Sequence, residues 1–244
     1  MADAPGISMI VHGPKGAGKS HLGDTTPVPR LVLDAEMGSR FTPSKKIFWD
    51  PLTEKIPDYD GTWETCLVTV REYRAVEKAY EWLNTGQHPF RSVVVDSISE
   101  VQQRLADSLK GDHPLELRDW GEMLRKASLL IRNLRDLVTH PVKPIDAVLF
   151  IAMTSQRQDG TWFPFVQGQL KVTLPYYVDL LTYLAALPQE DGTTIHRLLV
   201  GPAQGYATGE RVGGRLGRFI DNPSITDMLS VIHQANIAQT PEAG

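Results

Sequence analysis

Apolar and polar positions along this chain follow two different rhythms. Unbroken apolar runs at Ile7–Val11, Arg30–Leu33, Ser92–Val95 and Ala147–Met153 read as strands, the β-branched runs as strands buried on both faces. Between them, apolar residues recur at helical spacing. Val70, Tyr73, Val76, Tyr80 and Leu83 mark one helix, stopped by Gly86. Ile98 to Lys110 reads as a second, and Leu115 to Val138 as a third, with Leu117, Trp120, Leu124, Ala127, Ile131, Leu134 and Val138 along one core-facing stripe. This alternation predicts an α/β fold with a mostly parallel sheet flanked by helices. Leu180–Leu187 and Thr193–Val200 flank the turn signal Glu190-Asp191-Gly192, so the late strands are expected to be antiparallel. Asn222-Pro223-Ser224 caps a last helix, Ile225 to about Ala235. Phe41 to Thr62, punctuated by Pro43, Pro51 and Pro57, reads as an irregular connection. The chain is expected to form one domain over 1–235, with 236–244 as a flexible tail.

One loop turns the picture from fold to chemistry. Gly13-Pro14-Lys15-Gly16-Ala17-Gly18-Lys19-Ser20 satisfies G-x-x-x-x-G-K-[ST] in full, directly after the first strand and before a short helical segment, His21 to Asp24. Glycines in such a loop let successive backbone N–H groups face one concavity beside a helix N-terminus, where phosphate oxygens bind. Lys19 would reach the β- and γ-phosphates, and Ser20 would offer its hydroxyl to Mg²⁺. The expected ligand is therefore a nucleoside triphosphate.

A phosphate loop needs a metal-positioning acid at the end of a neighbouring buried strand. Val93-Val94-Val95-Asp96-Ser97 supplies one in Asp96, which would hold Mg²⁺ through water, since the ion keeps several waters when bound. The plainer alternative is an aspartate that ends a strand and caps the helix after it. Leu31-Val32-Leu33-Asp34-Ala35-Glu36 brings two more acids past the second strand. Glu36 is the candidate for activating the attacking water, or else a solvated loop carboxylate; Asp34 reads as structural.

The order of these motifs resembles the RecA/RadA ATPase core. In that family a glutamate in a D-A-E context after the second strand is the catalytic carboxylate, and Glu36 falls on it. The acidic strand of the family ends V-V-D-S, as Asp96-Ser97 does here. Its next strand ends in a polar sensor of the γ-phosphate, which the resemblance assigns to Gln156 or Thr154 within Leu149–Gln156. More narrowly, the chain is similar to compact bacteriophage RecA-like proteins of the single-strand-annealing (Sak) type. They share its short segment between phosphate loop and second strand, its late D-G-T hairpin, and a basic glycine-rich motif before a P-S-I helix. Gly209-Glu210-Arg211-Val212-Gly213-Gly214 and Pro223-Ser224-Ile225 carry that motif here. The resemblance implies Mg²⁺-dependent ATP hydrolysis stimulated by DNA, and single-stranded DNA as ligand. It also implies a homo-oligomer in which Arg211 reaches a neighbouring subunit's nucleotide, with Arg215 and Arg218 behind it, and a single-strand-binding protein as a further partner. The family's N-terminal polymerising tether has no counterpart before the first strand, which argues against a filament and leaves a ring or short oligomer open.

The stretch from Arg157 to Lys171 is the candidate DNA contact. Its glycine-flanked aromatics Trp162, Phe163 and Phe165 would stack unpaired bases, with Arg157 and Lys171 on phosphates. A hairpin whose aromatics pack on the sheet is the alternative. A net charge of −4 gives no global positive field, so DNA binding would depend on a local groove. Across the 244 residues Cys66 is the single cysteine, which excludes an internal disulfide and a cysteine-based zinc site. The seven histidines lack ligand-like spacing and read as surface or packing residues. No apolar run approaches membrane-spanning length and the start carries no secretory pattern, so a cytoplasmic protein without membrane contact is expected, in the host cytoplasm if phage-encoded. Two other functions fit the same motifs: an ATP-driven helper acting on a protein partner, such as a helicase loader, and a nucleotide-binding module that does not hydrolyse.

Overall fold

The computed structural model describes residues 6–110, 114 and 116–237. Leu115, the expected start of the third helix, and positions 238–244 of the expected tail lie outside the described residues. The chain begins with β1 (Ile7–His12), α1 (Lys19–Gly23), β2 (Arg30–Asp34), β3 (Lys46–Phe48) and β4 (Thr65–Thr69). Then come α2 (Tyr73–Leu83), β5 (Ser92–Asp96), α3 (Ile98–Lys110), α4 (Leu117–Asp136) and β6 (Ala147–Ala152). A small hairpin follows, β7 (Thr154–Gln156) and β8 (Trp162–Pro164), and after it α5 (Leu170–Thr173). β9 (Leu180–Pro188), β10 (Thr194–Leu199), β11 (Gly209–Glu210), β12 (Phe219–Asp221) and α6 (Ile225–Ile237) complete it.

Ten strands form one sheet in the order β12-β10-β9-β1-β6-β5-β2-β4-β3, with β11 paired to β9. From β9 to β3 neighbouring strands are parallel, whereas β10, β11 and β12 add antiparallel pairs, as the sequence pattern leads one to expect. The parallel strands are fully buried along β1, β2, β5 and β6 because helices cover both faces. On one face α2, α3 and α4 pack Val76, Leu83, Leu105, Met123 and Leu134 against Ile10, Leu33, Val95 and Phe150. On the other, α1 and α6 pack Leu22, Ile225, Met228 and Ile232 against Met9, Val11, Val32 and Leu149.

Four strands sit where the sequence reads as irregular or goes unassigned: β3, β4 and the short β11 and β12. β3 falls inside the proline-punctuated stretch, and β4 carries Cys66, Leu67 and Val68 into the core at the sheet's far side. The expected first helix is real but short: α1 has five residues before Asp24 ends it. A buried ion pair fixes that sharp exit. Arg30 Nη1 donates to Asp24 Oδ1 at 2.8 Å and its Nη2 to Thr26 O at 2.8 Å, while Asp24 Oδ1 also accepts from Thr42 and Ser44. Losing one partner of such a pair strands a charge in the core, at a cost of about 3–5 kcal/mol. The pair therefore sets how β2 returns beside the loop that precedes α1. The last helix runs two residues past its expected end, and Ile225 N donates to Thr25 Oγ1, tying its start to the exit of α1.

Candidate active site

Parallel strands place their C-terminal ends along one edge, and there four loops meet. β1 ends at His12 and opens into the phosphate loop, β2 ends at Asp34, β5 at Asp96 and β6 at Ala152. Register sets Asp34 beside Asp96 on adjacent strands, with Asp96 next to Ile151.

The phosphate loop leads directly into α1, with Gly18 at its cap in the left-handed region at φ 95°. A side chain there would be strained, and its Cβ would lie 2.9 Å from His196 Nδ1. Gly13 is confined differently: a Cβ would sit 2.3 Å from Leu184 O. The imidazole of His196, on β10, meets the carbonyl of Ala17 at 2.8 Å. β10 is itself held by Asn222, whose Oδ1 accepts from His196 N at 3.0 Å while its own N–H donates to His196 O at 2.6 Å. The antiparallel strands thus clamp the loop from outside. Lys19 Nζ donates to Gly13 O at 2.8 Å and Pro14 O at 2.9 Å. Burial lowers its pKa, and the carboxylates of Glu36 and Asp96 pull it back up.

Ser20 Oγ donates to Asp96 Oδ2 at 2.6 Å, and Ser39 Oγ to the same oxygen at 3.0 Å. Asp34 accepts instead from the backbone N–H of Ser39 at 3.0 Å and of Gly38 at 3.3 Å, which shapes the turn after β2. Ala35 N donates to Asp96 O at 2.6 Å and Glu36 N to the same carbonyl at 3.2 Å, so that turn is laid against β5. Ser97 Oγ donates to Glu36 Oε1. The remainder of the Glu36 side chain is exposed. Glu36, Asp96, Ser20 and Lys19 are therefore brought together, while the Asp34 carboxylate is taken up by the backbone amides of the turn after β2.

These donors suit Mg²⁺. Asp96 is buried and its pKa is raised, first by that burial and then by Glu36, against the opposing hydroxyls of Ser20 and Ser39. Asp34 is pushed up to about 6 by burial and by Asp96. Such a concentration of carboxylate charge is relieved by a cation. Among the described residues, no group of three or more His, Cys, Asp or Glu side chains forms a metal cage. A hydroxyl beside one carboxylate matches an ion held by few protein ligands, by waters and by phosphate oxygens.

Other expected residues stand apart. Gln156 Nε2 donates to Gly160 O at 2.8 Å, closing its own hairpin, whereas Thr154 Oγ1 lies 3.0 Å from His12 Nδ1 at the root of the phosphate loop. Arg157 stacks over the Phe163 ring at 3.8 Å, and Phe163 is buried; of the other expected stacking aromatics, Trp162 is half-buried and Phe165 is open, at 41% exposure. Lys171 is exposed. Arg211 is exposed too, with Nη2 donating to Tyr176 O at 2.9 Å and its N–H to Asp179 O at 2.9 Å. Asp179 precedes the Leu180–Met9 pair, so Arg211 sits level with the beginning of β1. Roughly 13 Å of strand separates that level from the phosphate loop. Sequence reasoning passed over Ser39 and His196, which reach the site only through sheet neighbours distant in the chain.

The profile of the family described as AAA domain matches residues 5–212. Among curated proteins, no relative of the chain is found. One similar solved structure is described as a prototypical ATPase from the type III secretion system of pathogenic bacteria, with TM-score 0.47 and 14% identity over 74% of this chain and 52% of that one. The chain thus spans about half the length of that structure. No helix among the described residues is long and apolar enough to cross a membrane.

The raised pKa of Asp34 has a definite sign. Its folded value of about 6 lies above the ordinary 3.8, so the folded state binds the extra proton and loses stability as pH rises through that window. Asp34→Asn removes the titration. In Mg²⁺-free urea melts, the variant's stability relative to wild type is expected to improve between pH 4.5 and pH 7.5. An offset that is constant across that range would contradict this reading.

Proposed function

The chain belongs to the AAA domain family of P-loop ATPases, and we propose that its ATP turnover is Mg²⁺-dependent and coupled to single-stranded DNA. The observation that carries the ATPase reading is the convergence of Lys19, Ser20, Asp96 and Glu36 on one sheet edge through the 2.6 Å Ser20–Asp96 bond. The loop amides and Lys19 bind the triphosphate. Ser20 and Asp96 would hold Mg²⁺, which would supply positive charge to the phosphate oxygens. Ser97 occupies Oε1 of Glu36, which leaves Oε2 to orient the attacking water. The water oxygen forms a bond to the γ-phosphorus as the bond to the β–γ bridging oxygen breaks. Glu36 takes the proton, and ADP and phosphate leave.

The DNA part of the proposal draws on the β7–β8 hairpin. It follows β6 directly, and Ser99, two residues past Ser97, donates to Phe165 O at 2.6 Å and accepts from Met153 N at 3.0 Å. A ligand on Phe165 and Lys171 would thus press on the helix that starts beside Asp96. This placement, with the motif resemblance, favours a recombination or annealing ATPase of the compact bacteriophage type. Turnover measured with and without single-stranded DNA tests it. Wild type is expected to be stimulated, Lys19→Ala to lose turnover, and Glu36→Gln to retain ATP binding while slowing about 10²–10⁴-fold. Turnover indifferent to DNA would favour a helper acting on a protein partner, and ATP binding without turnover would favour a nucleotide-switched module.

Arg211 completes the proposal as a residue given in trans. Its position level with the start of β1 leaves it remote from its own phosphate loop, and a guanidinium on the γ-phosphate is worth about 10³–10⁵ in rate. Lys19→Ala and Arg211→Ala subunits, each poorly active alone, are expected to recover turnover when mixed. Co-assembled mixtures that stay inactive would place Arg211 outside the site.

A further inference from the structure

His12 is the last residue of β1 and is fully buried, at 0% exposure, immediately before Gly13 of the phosphate loop. Neither binding nor hydrolysis as described uses it. Its two ring nitrogens hold two segments far away in the chain. Nδ1 lies 3.0 Å from Thr154 Oγ1 at the start of the β7–β8 hairpin, and Nε2 lies 3.0 Å from Ala207 O in the loop between β10 and β11. The ring also meets Tyr183 edge to face at 5.1 Å, and Tyr183 contacts Tyr206 at 4.5 Å.

Chemistry fixes the direction of both bonds. A carbonyl oxygen only accepts, so Nε2 carries the hydrogen and donates to Ala207 O. Burial, with a further push from the charge of Lys19, holds the ring's pKa near 4 against the pull of Ala207, so the imidazole is neutral at ordinary pH. Nδ1 is then an acceptor for the Thr154 hydroxyl hydrogen, for which Phe163 O, 3.3 Å from the same Oγ1, competes. The hairpin and the 201–208 loop are sewn to each other as well: Trp162 N donates to Gly205 O at 2.8 Å and Ala207 N to Trp162 O at 2.8 Å. A single ring thus ties the root of the phosphate loop to a seam between two surface segments, one of which leads on to Arg211.

We propose that His12 is a positioning residue that transmits occupancy of the phosphate loop to the β7–β8 hairpin and the 201–208 loop. The inference rests on the nucleotide reading and not on the identity of what binds the hairpin. Its driving contact is Lys19, whose ammonium holds Gly13 O at 2.8 Å, one residue from His12. Phosphates entering the loop compete for that ammonium, and the carbonyl it releases belongs to the residue bonded to His12. The buried ring has fixed partners on both sides, so it passes a displacement on instead of absorbing it.

Hydrogen exchange at the Trp162 and Ala207 amides, with and without Mg²⁺–ADP or a non-hydrolysable Mg²⁺–ATP analogue, tests this. Nucleotide affinity is measured alongside. Wild type is expected to change its exchange at both amides by about fivefold or more on binding nucleotide. His12→Phe, which keeps the ring and loses both hydrogen bonds, is expected to bind nucleotide and lose the change. A merely structural role would shift exchange equally in the presence and absence of nucleotide. If His12→Phe does not fold, Thr154→Val removes the hydroxyl that bonds His12 Nδ1 and also meets Phe163 O; it is expected to diminish the nucleotide response at Trp162, whereas loss of the Phe163 contact alone would shift exchange equally with and without nucleotide. A full response in either folded variant, or none in wild type that binds nucleotide, overturns the proposal. Wild type that binds no nucleotide overturns the nucleotide reading itself, and this inference with it.

Discussion

The Asp96 carboxylate organises this molecule's chemistry. It ends β5, between β6 and β2 in the parallel part of the sheet, where burial disfavours its charge. Two hydroxyls, Ser20 from the phosphate loop and Ser39 from the turn after β2, converge on the single oxygen Oδ2. Its backbone carbonyl receives the amides of Ala35 and Glu36. One residue thus fixes the phosphate loop and the turn carrying Glu36 relative to one another. Burying such a group is tolerable because it is hydrogen-bonded from several sides. The residual excess of negative charge is what a divalent cation would relieve.

The sheet divides the work. Its parallel strands deliver Lys19, Ser20, Asp96 and Glu36 to one edge, while its antiparallel strands hold the Gly13–Ser20 loop. His196 and Asn222 act through backbone atoms on the rim of that loop, and α6 locks onto the exit of α1 through Thr25. With a helix of five residues behind the phosphate loop, this outside support replaces the packing that a longer helix would provide.

Much of the site was legible because its motifs are local. Gly13–Ser20, Asp34-Ala35-Glu36 and Val93–Ser97 each declare themselves within a few residues, at the ends of apolar runs that cannot be other than buried strands. The central strands and the long α4 stripe were legible for the same reason. β3 and β4 were not. β3 is three residues long among prolines, and Thr65–Thr69 becomes a strand by pairing with β2, a partner thirty-five positions earlier in register with it. Trp162 and Phe163 looked available for stacking, yet the fold spends Phe163 on the core beneath Arg157. The contacts of His12 and His196 depend on which strands become neighbours, information that no local spacing carries.

The central claim is that Ser20 and Asp96 form a metal-dependent nucleotide site with Lys19. It is tested most directly by ATP affinity with and without Mg²⁺ in wild type and in Asp96→Asn. Wild type is expected to bind ATP more tightly when Mg²⁺ is present, and Asp96→Asn to lose that gain while still recognising the triphosphate through the loop and Lys19. Asp96→Asn that keeps the full Mg²⁺-dependent gain would contradict the account.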